Sequence, residues 1–444
     1  MQPMFTLHRL VLTAAVCLLA ACAGTPRQAP PYVPQKLNAE QRAAAFEQVW
    51  QTIDKQYVDA RLNGVDWKAV ASRYRPQLLA LDDDAAYWRG LNRMVGELKD
   101  AHTSVRSPLE AHATPTQRGH LGLALARIDG QVVVQAVAGN SQAALLGVRA
   151  GQRLLQVDGT PVDAWWQQAA AQVRGSSTER SNRLLVNREL NARPVDSQLT
   201  LQLQPADAAA APLTVTLQQD PLGPSLVGLR SHLLANGVGY LRLPRFDRLL
   251  QEPLDASLMR LSGAKALVLD LRGNPGGAFN MAMGLLGWLL DKPGRVGQIV
   301  TRDNQRLTAL YGLIDITPTM EVKPAAKRIT VPLAVLVDEG SASASELTAG
   351  VLQDQGRARL FGSASCGCLL GGRSGGEELP GGGRLLYSQF DMQIGQRPRV
   401  EGTGVIPDVL VLPTVASLQS GQDTVFDAAQ AWLLQAVAAA RPLP

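Results

Sequence analysis

Residues 331–353 constrain the fold of this chain more than any other stretch. They open with a continuous apolar run, Leu333–Val337, which is typical of a buried strand. After a sharp turn at 338–340 the spacing becomes helical through Leu347, so the small polar run 341–345 (SASAS) lies at a strand-to-helix turn. A helix N-terminus offers unbonded N–H groups and a positive dipole end, which suit a nucleophile. An ordinary serine-rich N-cap is the simpler alternative.

Length and charge narrow the class of protein. A chain of 444 residues predicts two or three domains, because a single core rarely grows that large. The formal charge is only +5, and no Lys/Arg run is interleaved with aromatic residues, so we do not expect a nucleic-acid partner. Beyond the N-terminal region no segment approaches about 18 unbroken apolar residues, so we expect no transmembrane helix.

The N-terminus has the pattern of an export signal. Within residues 1–21 a positive charge precedes an apolar stretch that ends in small residues. Leu19–Cys22 resembles a bacterial lipoprotein box, which implies cleavage before Cys22 and a lipid on its sulfur. The next residue is not Asp, which favours the outer membrane. We therefore expect a lipid-anchored protein on the periplasmic side of the cell envelope, with residues 22–37 as a tether; a plain secretory signal with an incidental cysteine is the alternative.

The hydrophobic periodicity of the remaining chain predicts an α/β (α+β) fold made of several regions. Apolar residues at helical spacing predict three helices that begin near Asn38, Asp66 and Asp84. Alternating runs and a hairpin signal follow, and then strands alternate with helices, as in an α/β core. One late strand is expected over Leu385–Met392. The predicted regions are an N-terminal helical domain (38–115), a strand-rich domain (116–222), an α/β domain (223–412) and a C-terminal helix (413–444).

Residues 142–162 resemble a PDZ domain, which we expect to be the inserted domain of residues 116–222. In that family a loop presents backbone N–H groups to a peptide C-terminus, and the adjacent strand pairs with the peptide. The resemblance places this loop at Gly119, His120, Leu121, Gly122 and Leu123. A PDZ fold that only scaffolds or gates is the alternative.

Three separated segments resemble the C-terminal processing peptidase superfamily, which includes tail-specific proteases, tricorn core protease and retinoid-binding modules. They are Asp270–Gly277 (DLRGNPGG), Gly340–Glu346 (GSASASE) and Gly404–Asp408 (GVIPD). The first follows an apolar strand as phosphate loops do, but it has no Gly-Lys-Ser/Thr, so nucleotide binding is disfavoured. The resemblance implies a ClpP/crotonase-like α/β catalytic core that carries an inserted PDZ domain.

The same resemblance assigns roles to individual residues. Ser343, the middle serine of its segment, corresponds to the nucleophile. The N–H groups of Ala344 and of Gly276 or Gly277 correspond to the oxyanion hole. We expect no metal and no cofactor.

The general base departs from the main pattern of the superfamily. Processing peptidases place a Lys after the nucleophile helix, but Cys368 stands there and no Lys occurs after Ser343. The tricorn-like branch uses a His from before the PDZ insertion and a later Glu, which correspond to His102 and Glu401. A Ser343/His102/Glu401 triad is the prediction, although that branch has a polar residue where this chain has Ala101. Glu401 as a solvated turn residue and His102 as a helix cap are the alternatives.

These assignments predict a secreted serine endopeptidase that cleaves peptides or periplasmic proteins through an acyl-enzyme on Ser343. The first alternative is an inactive pseudo-protease that binds peptides, and the second is a carrier of apolar ligands. A peptidase that uses Cys368 as its nucleophile is the third alternative. The Cys366–Cys368 spacing is too short for an unstrained bridge, yet in an oxidising periplasm a disulfide between them is still an alternative.

Overall fold

Three amphipathic helices build the N-terminal region of the computed structural model, which describes residues 33–112, 121–191, 193, 197–219, 228–292, 294–302, 308–309, 314–315, 318–373 and 375–439. The three predicted helices are confirmed: Asn38, Asp66 and Asp83 cap them by accepting backbone N–H groups of their first turns. The elements are α1 (Ala39–Gln56), α2 (Trp67–Leu79), α3 (Asp84–Gly96), β1 (Ser104–Arg106) and α4 (Pro108–His112).

The middle region is an antiparallel sheet with two longer helices against it. Its strand order is β2-β3-β4-β6-β7, and the short β5 pairs with β4. The predicted hairpin is present, because Asp129 and Gly130 both have positive φ between β2 and β3. The elements are β2 (Leu123–Ile128), β3 (Gln131–Val137), α5 (Gln142–Leu145), β4 (Arg153–Val157), β5 (Thr160–Pro161), α6 (Val162–Gln172), α7 (Glu179–Asn191), β6 (Gln198–Gln204) and β7 (Leu213–Gln218).

The C-terminal region contains the largest core. Its elements are β8 (Arg230–Leu233), β9 (Val238–Arg242), α8 (Gln251–Leu261), β10 (Ala266–Asp270), α9 (Phe279–Leu289), β11 (Arg295–Thr301), β12 (Thr308–Ala309), β13 (Ile314–Asp315), β14 (Thr319–Glu321), β15 (Leu333–Val337), α10 (Ala344–Asp354), β16 (Arg359–Gly362), β17 (Leu370–Gly371), β18 (Glu377–Glu378), β19 (Arg384–Leu386), β20 (Phe390–Ile394), β21 (Val409–Leu410), α11 (Val415–Ser420) and α12 (Thr424–Ala439).

A six-stranded sheet, ordered β21-β16-β15-β10-β9-β8, is the centre of this region. Only the β8–β9 pair is antiparallel; the others are parallel. Strands β10 and β15 are buried on both faces, as their continuous apolar runs predict. Side chains on one face pack with α9 and α10, and those on the other pack with α12. The carboxyl ends of the central parallel strands therefore lie at one edge of the sheet, where the Gly-rich turn follows β10 and the Ser343 turn follows β15.

The single strand expected over Leu385–Met392 is wrong. The chain forms β19 and β20 there, and these belong to different sheets, β1-β19-β18 and β14-β11-β20-β17. Between them the backbone of Ser388 bonds to the N-terminal region instead of a strand: its carbonyl accepts from Val58 N, and its N–H donates to Thr103 Oγ1. These bonds turn the chain from one sheet to the next.

The apolar strand β15 should be the part of the sheet most sensitive to substitution. Leu336 is fully buried, so Leu336→Ala should lower the free energy of unfolding by about 2–5 kcal/mol through lost burial and a cavity. Leu410 lies in β21 of the same sheet but is 70% exposed, so Leu410→Ala should change it by less than about 0.5 kcal/mol. Urea denaturation followed by circular dichroism measures both; equal losses would contradict the described burial.

Candidate active site

Ser343 occupies a strained turn between β15 and α10. Its φ is +55° and its ψ −116°, a conformation that costs a non-glycine residue on the order of 1–3 kcal/mol. Its N–H donates to the carbonyl of Cys368 at 3.1 Å and to Glu346 Oε2 at 3.0 Å. Two separate acceptors thus hold the backbone of this residue. Such strain is common where a side chain must be presented to a substrate.

The three serines of this turn differ in what their hydroxyls do. Ser341 Oγ donates to the carbonyl of Leu271, and Ser345 Oγ donates to the carbonyl of Asn274, both at 2.9 Å. Both of these serines are fully buried, whereas Ser343 is half-buried. Structural hydrogen bonds therefore occupy the outer two serines and tie the turn to the Gly-rich segment.

The Gly-rich turn lies directly against Ser343. A Cβ on Gly276, whose φ is +90°, would lie 2.7 Å from Ser343 Cβ and 2.8 Å from Ala344 N, so no side chain fits. The N–H of Gly276 donates to Asn274 Oδ1 at 2.9 Å. Among the described groups none accepts from the N–H of Gly277. Of the two glycines predicted as oxyanion-hole donors, Gly277 is thus the one whose N–H is left to act. It would do so together with the N–H of Ala344, the first residue of α10.

Glu346 is the residue that sequence reasoning missed at this site. Its carboxylate is fully buried and accepts four hydrogen bonds, from Ser343 N, Ser365 Oγ (2.5 Å), Gly367 N (2.7 Å) and Cys368 N (2.9 Å). Burial raises the pKa of this carboxyl, and the four donors oppose the rise. A Glu three residues after a helix-capping Ser is the capping-box pattern, which is a signal the sequence contained.

Cys366 and Cys368 form a disulfide across Gly367, which settles the alternative left open by their spacing. Their Cα atoms are 5.3 Å apart, within the usual range for a bridge. The main chain of this loop bonds the nucleophile turn, since Cys366 N donates to the Ser341 carbonyl at 2.9 Å. Cys368 therefore fills the expected position of the Lys, but it has no thiol that could attack a substrate.

His102 lies in a buried turn after α3. Asp100 accepts from the N–H of His102 at 2.7 Å and from Thr103 Oγ1 at 2.5 Å, which fixes the backbone of the segment. Arg174 donates to the carbonyls of Asp100 and Ala101. The ring Nδ1 is buried without a hydrogen-bond partner. Burial, assisted by the Arg174 charge and opposed by Asp100, lowers the pKa of His102, so its imidazole is neutral at pH 7.

Glu401 is buried and bonds the two residues that follow the disulfide. Its Oε2 accepts from Leu369 N at 2.7 Å and Leu370 N at 3.1 Å. Burial, with a further contribution from the negative charge of Asp100, raises the pKa of Glu401 to about 8. The alternative of a solvated turn residue does not fit, because Glu401 is only 8% exposed.

Residues 366–370 connect two of the three predicted catalytic residues. The carbonyl of Cys368 holds the backbone of Ser343, while the next two N–H groups hold Glu401. No hydrogen bond or ion pair joins the side chains of Ser343, His102 and Glu401 to one another within the described part of the chain. The triad therefore stays a prediction.

The predicted peptide loop is described only in part, because Gly119 and His120 lie outside the described residues. Leu121 and Leu123 are buried in the core of the middle region, and Gly122 has a φ of +68°. Strand β2, which follows the loop, is at the end of its sheet. Asn187 of α7 donates to the carbonyl of Leu125 on this strand at 2.9 Å. Cys22 and the predicted signal also lie outside the described residues.

The described residues offer no group of three or more His, Cys, Asp or Glu side chains that could hold a metal ion. None of the helices in the described ranges is both long enough and apolar enough to cross a bilayer.

Comparison with known proteins identifies the architecture. The family model for peptidase family S41 matches residues 237–411, and the model for the tricorn protease C1 domain matches residues 38–96. The chain contains a peptidase family S41 domain and a tricorn protease C1 domain. Except for β8, the strands of its six-stranded sheet lie within the first match, as do the Ser343 turn and the Gly-rich turn, and helices α1 to α3 make up the second. The predicted superfamily is confirmed, and with it a mixed helix and sheet fold of a serine-type peptidase.

Relatives and solved structures agree with the family. The chain is 26% identical over 390 residues to a carboxyl-terminal-processing protease of Picosynechococcus, with 84% of this chain and 85% of the relative covered. It resembles the structure of a photosystem II D1 C-terminal processing protease, with 25% identity, a TM-score of 0.56 and coverage of 88% and 99%. Mature CPAF shares the fold, with a TM-score of 0.64 at 15% identity and coverage of 91% and 99%.

Gly276→Ala tests the geometry of the Gly-rich turn. Because the added methyl group would meet Ser343 Cβ and Ala344 N, we expect the rate of reaction with a fluorophosphonate probe to fall on the order of 10²-fold or more. Gly284→Ala is the matched control, since nothing lies within 4 Å of its added Cβ and it is within helix α9. Thermal melting should show both variants folded. A Gly276→Ala variant that reacts at the normal rate would contradict the described contact.

Proposed function

We propose that the protein is a lipid-anchored serine endopeptidase that cleaves peptides or periplasmic proteins through an acyl-enzyme on Ser343. His102 takes the proton of the Ser343 hydroxyl and returns it to the leaving amine. The N–H groups of Ala344 and Gly277 stabilise the oxyanion. Glu401, as a carboxylate, stabilises the imidazolium of His102. The anchor is a lipid on Cys22, on the periplasmic side of the envelope and in the outer membrane.

The hydrogen bonds made by the loop of residues 366–370 are the single observation that supports this proposal. The loop bonds the backbone of Ser343 on one side and the Glu401 carboxylate on the other, in a family whose members are peptidases. A dyad of Ser343 with a Lys at position 368 is excluded by the sequence. His102 then supplies the base that a serine nucleophile needs, and its lowered pKa supports a neutral imidazole ready to accept a proton.

The middle region suits a peptide-binding role in this proposal. Among the described strands β2 pairs only with β3, and this leaves its other edge for an added strand from a peptide, next to the loop Gly119 to Leu123. Asn187 occupies one carbonyl of that edge, at Leu125, and a bound peptide would have to displace it. We therefore assign the PDZ-like region to substrate binding.

Labelling with a fluorophosphonate probe tests the nucleophile and the base. The Ser343 oxygen attacks phosphorus, the P–F bond breaks, fluoride leaves and the hydroxyl proton passes to His102. We expect Ser343→Ala to abolish labelling, and His102→Ala to slow it roughly 10²–10⁴-fold, the usual contribution of a general base.

His232→Ala is the control for loss of a histidine, since His232 stacks on Tyr240 at the β8–β9 edge. It should label like the unchanged protein. Labelling that survives Ser343→Ala would end the assignment. An unchanged protein that never labels, yet binds peptides through its middle region, would indicate the inactive pseudo-protease.

The pKa of Glu401 predicts the pH dependence. Because it is raised to about 8, the carboxyl is mostly neutral at pH 7 and ionises as the pH rises. The labelling rate should therefore increase roughly tenfold between about pH 7 and 9, following the ionised fraction. Glu401→Gln should remove this rise and leave a low, flat rate. Glu321→Gln, at an exposed position of strand β14, should keep it. A rate that falls over this range would contradict the role of the carboxylate.

A further inference from the structure

The disulfide loop, Cys366 to Cys368, lies in a segment without regular secondary structure. Residues 363–369 form neither helix nor strand between β16 and β17. No ladder of backbone hydrogen bonds therefore sets the shape of this segment. Several of its N–H and carbonyl groups nevertheless bond the nucleophile turn and Glu346 at distances of 2.7 to 3.1 Å. Another restraint must keep these groups in place.

Two successive N–H groups of the loop meet at one carboxylate. Gly367 N donates to Glu346 Oε1 at 2.7 Å, and Cys368 N donates to Oε2 at 2.9 Å. Successive N–H groups form an anion-binding concavity only when the chain turns between them, which here depends on the φ of Gly367, +77°. Because Glu346 is fully buried, the loss of either donor would leave a carboxylate oxygen without its partner.

The carbonyl groups of the same loop bond the two sides of the site. The Cys368 carbonyl accepts from Ser343 N at 3.1 Å. The Gly367 carbonyl accepts from Gly402 N at 2.9 Å, one residue after Glu401. A shift in the backbone of these residues would therefore disturb the nucleophile turn and the Glu401 segment together.

The disulfide restrains the one residue on which this geometry depends. Cys366 and Cys368 are both buried, and their bridge closes a ring that contains only Gly367 between them. A covalent bridge acts by removing conformations that are open to the free chain. Gly is the residue with the most conformations to remove. The bridge is therefore well placed to keep the two N–H groups directed at Glu346.

We propose that the disulfide between Cys366 and Cys368 is a positioning device for the nucleophile. With the bridge closed, the loop keeps its bonds to Glu346 and Ser343, and Ser343 reacts at its full rate. With the bridge open, Gly367 samples other conformations, these bonds are lost part of the time, and the rate falls. This inference rests on the proposed serine peptidase.

Closing the bridge also ties activity to the compartment. Two thiols become one S–S bond, and the two electrons and two protons pass to a disulfide donor, which becomes two thiols. Such donors act in an oxidising compartment and not in a reducing cytosol. The chain then reaches its full rate only after export, which agrees with the proposed periplasmic location.

The test compares fluorophosphonate labelling of the full chain in its oxidised and reduced states. A phosphine reductant breaks the S–S bond, which gives two thiols, and takes up the oxygen of water as a phosphine oxide. After removal of the reductant, the labelling rate should be about ten- to a hundredfold lower, as expected for a misplaced reacting group. The loss should follow the number of free thiols counted by mass spectrometry after alkylation. Oxidised glutathione should restore the rate, because it closes the bridge and leaves as two reduced molecules.

A variant without the bridge serves if the buried disulfide resists the reductant. The double variant Cys366→Ser/Cys368→Ser should label as slowly as the reduced protein and should not respond to phosphine. Ser363→Ala is the matched control, because its N–H bonds the Val337 carbonyl and no described hydrogen bond joins it to the nucleophile turn or to Glu346. It should label at the normal rate.

The dependence of the rate on probe concentration separates positioning from stability. Loss of the bridge should lower the limiting rate and leave the half-saturating probe concentration unchanged, because the nucleophile is misplaced while the probe still binds. A merely structural disulfide would lower the melting temperature without lowering the limiting rate of the folded protein.

The outcomes separate this inference from the function on which it rests. If the unchanged protein labels at Ser343, but the reduced protein or the double serine variant keeps the limiting rate, the role of the disulfide is wrong and the peptidase stands. A rate that stays low after the bridge has closed again also overturns it. If the oxidised protein does not label, or labels without Ser343, the proposed function itself fails.

Discussion

The buried carboxylate of Glu346 is the interaction on which the rest of the site depends. It accepts from the backbone N–H of Ser343, from the hydroxyl of Ser365 just before the disulfide loop, and from the N–H groups of Gly367 and Cys368 within that loop. A buried carboxylate is costly unless its oxygens are paired, so each donor is needed to keep the others in place. One side chain thereby fixes the nucleophile turn and the loop that carries the bonds to Glu401.

The disulfide loop takes the position where most processing peptidases place their Lys. Here that position supplies backbone groups instead of a base: the Cys368 carbonyl toward Ser343 and the next two N–H groups toward Glu401. In the proposed mechanism the base comes from another part of the chain. His102 lies in a segment held by Asp100 and Arg174. In that mechanism the loop holds the nucleophile, and a separate segment activates it.

Local patterns in the sequence were sufficient for much of this architecture. The three N-terminal helices and the β15–turn–α10 unit follow from apolar spacing and capping residues, and the Gly-rich turn follows from its motif. The break between β19 and β20 does not, because Ser388 bonds to Val58 and Thr103, far away in the sequence. Three of the four bonds of Glu346, from Ser365, Gly367 and Cys368, are also long-range. No local periodicity encodes such contacts, so the sequence indicated the residues but not the partners to which they bond.

The pairing of β1 with β19 has a consequence for how the protein is made. Ser104, two residues after His102, pairs with Leu386, so the base segment gains its partner strand only when almost the entire chain has emerged. Contacts this distant in sequence form late and slowly. An unfinished or truncated chain would possess the histidine without the support that orients it. Under the proposed mechanism, peptidase activity therefore appears only after β19 is in place.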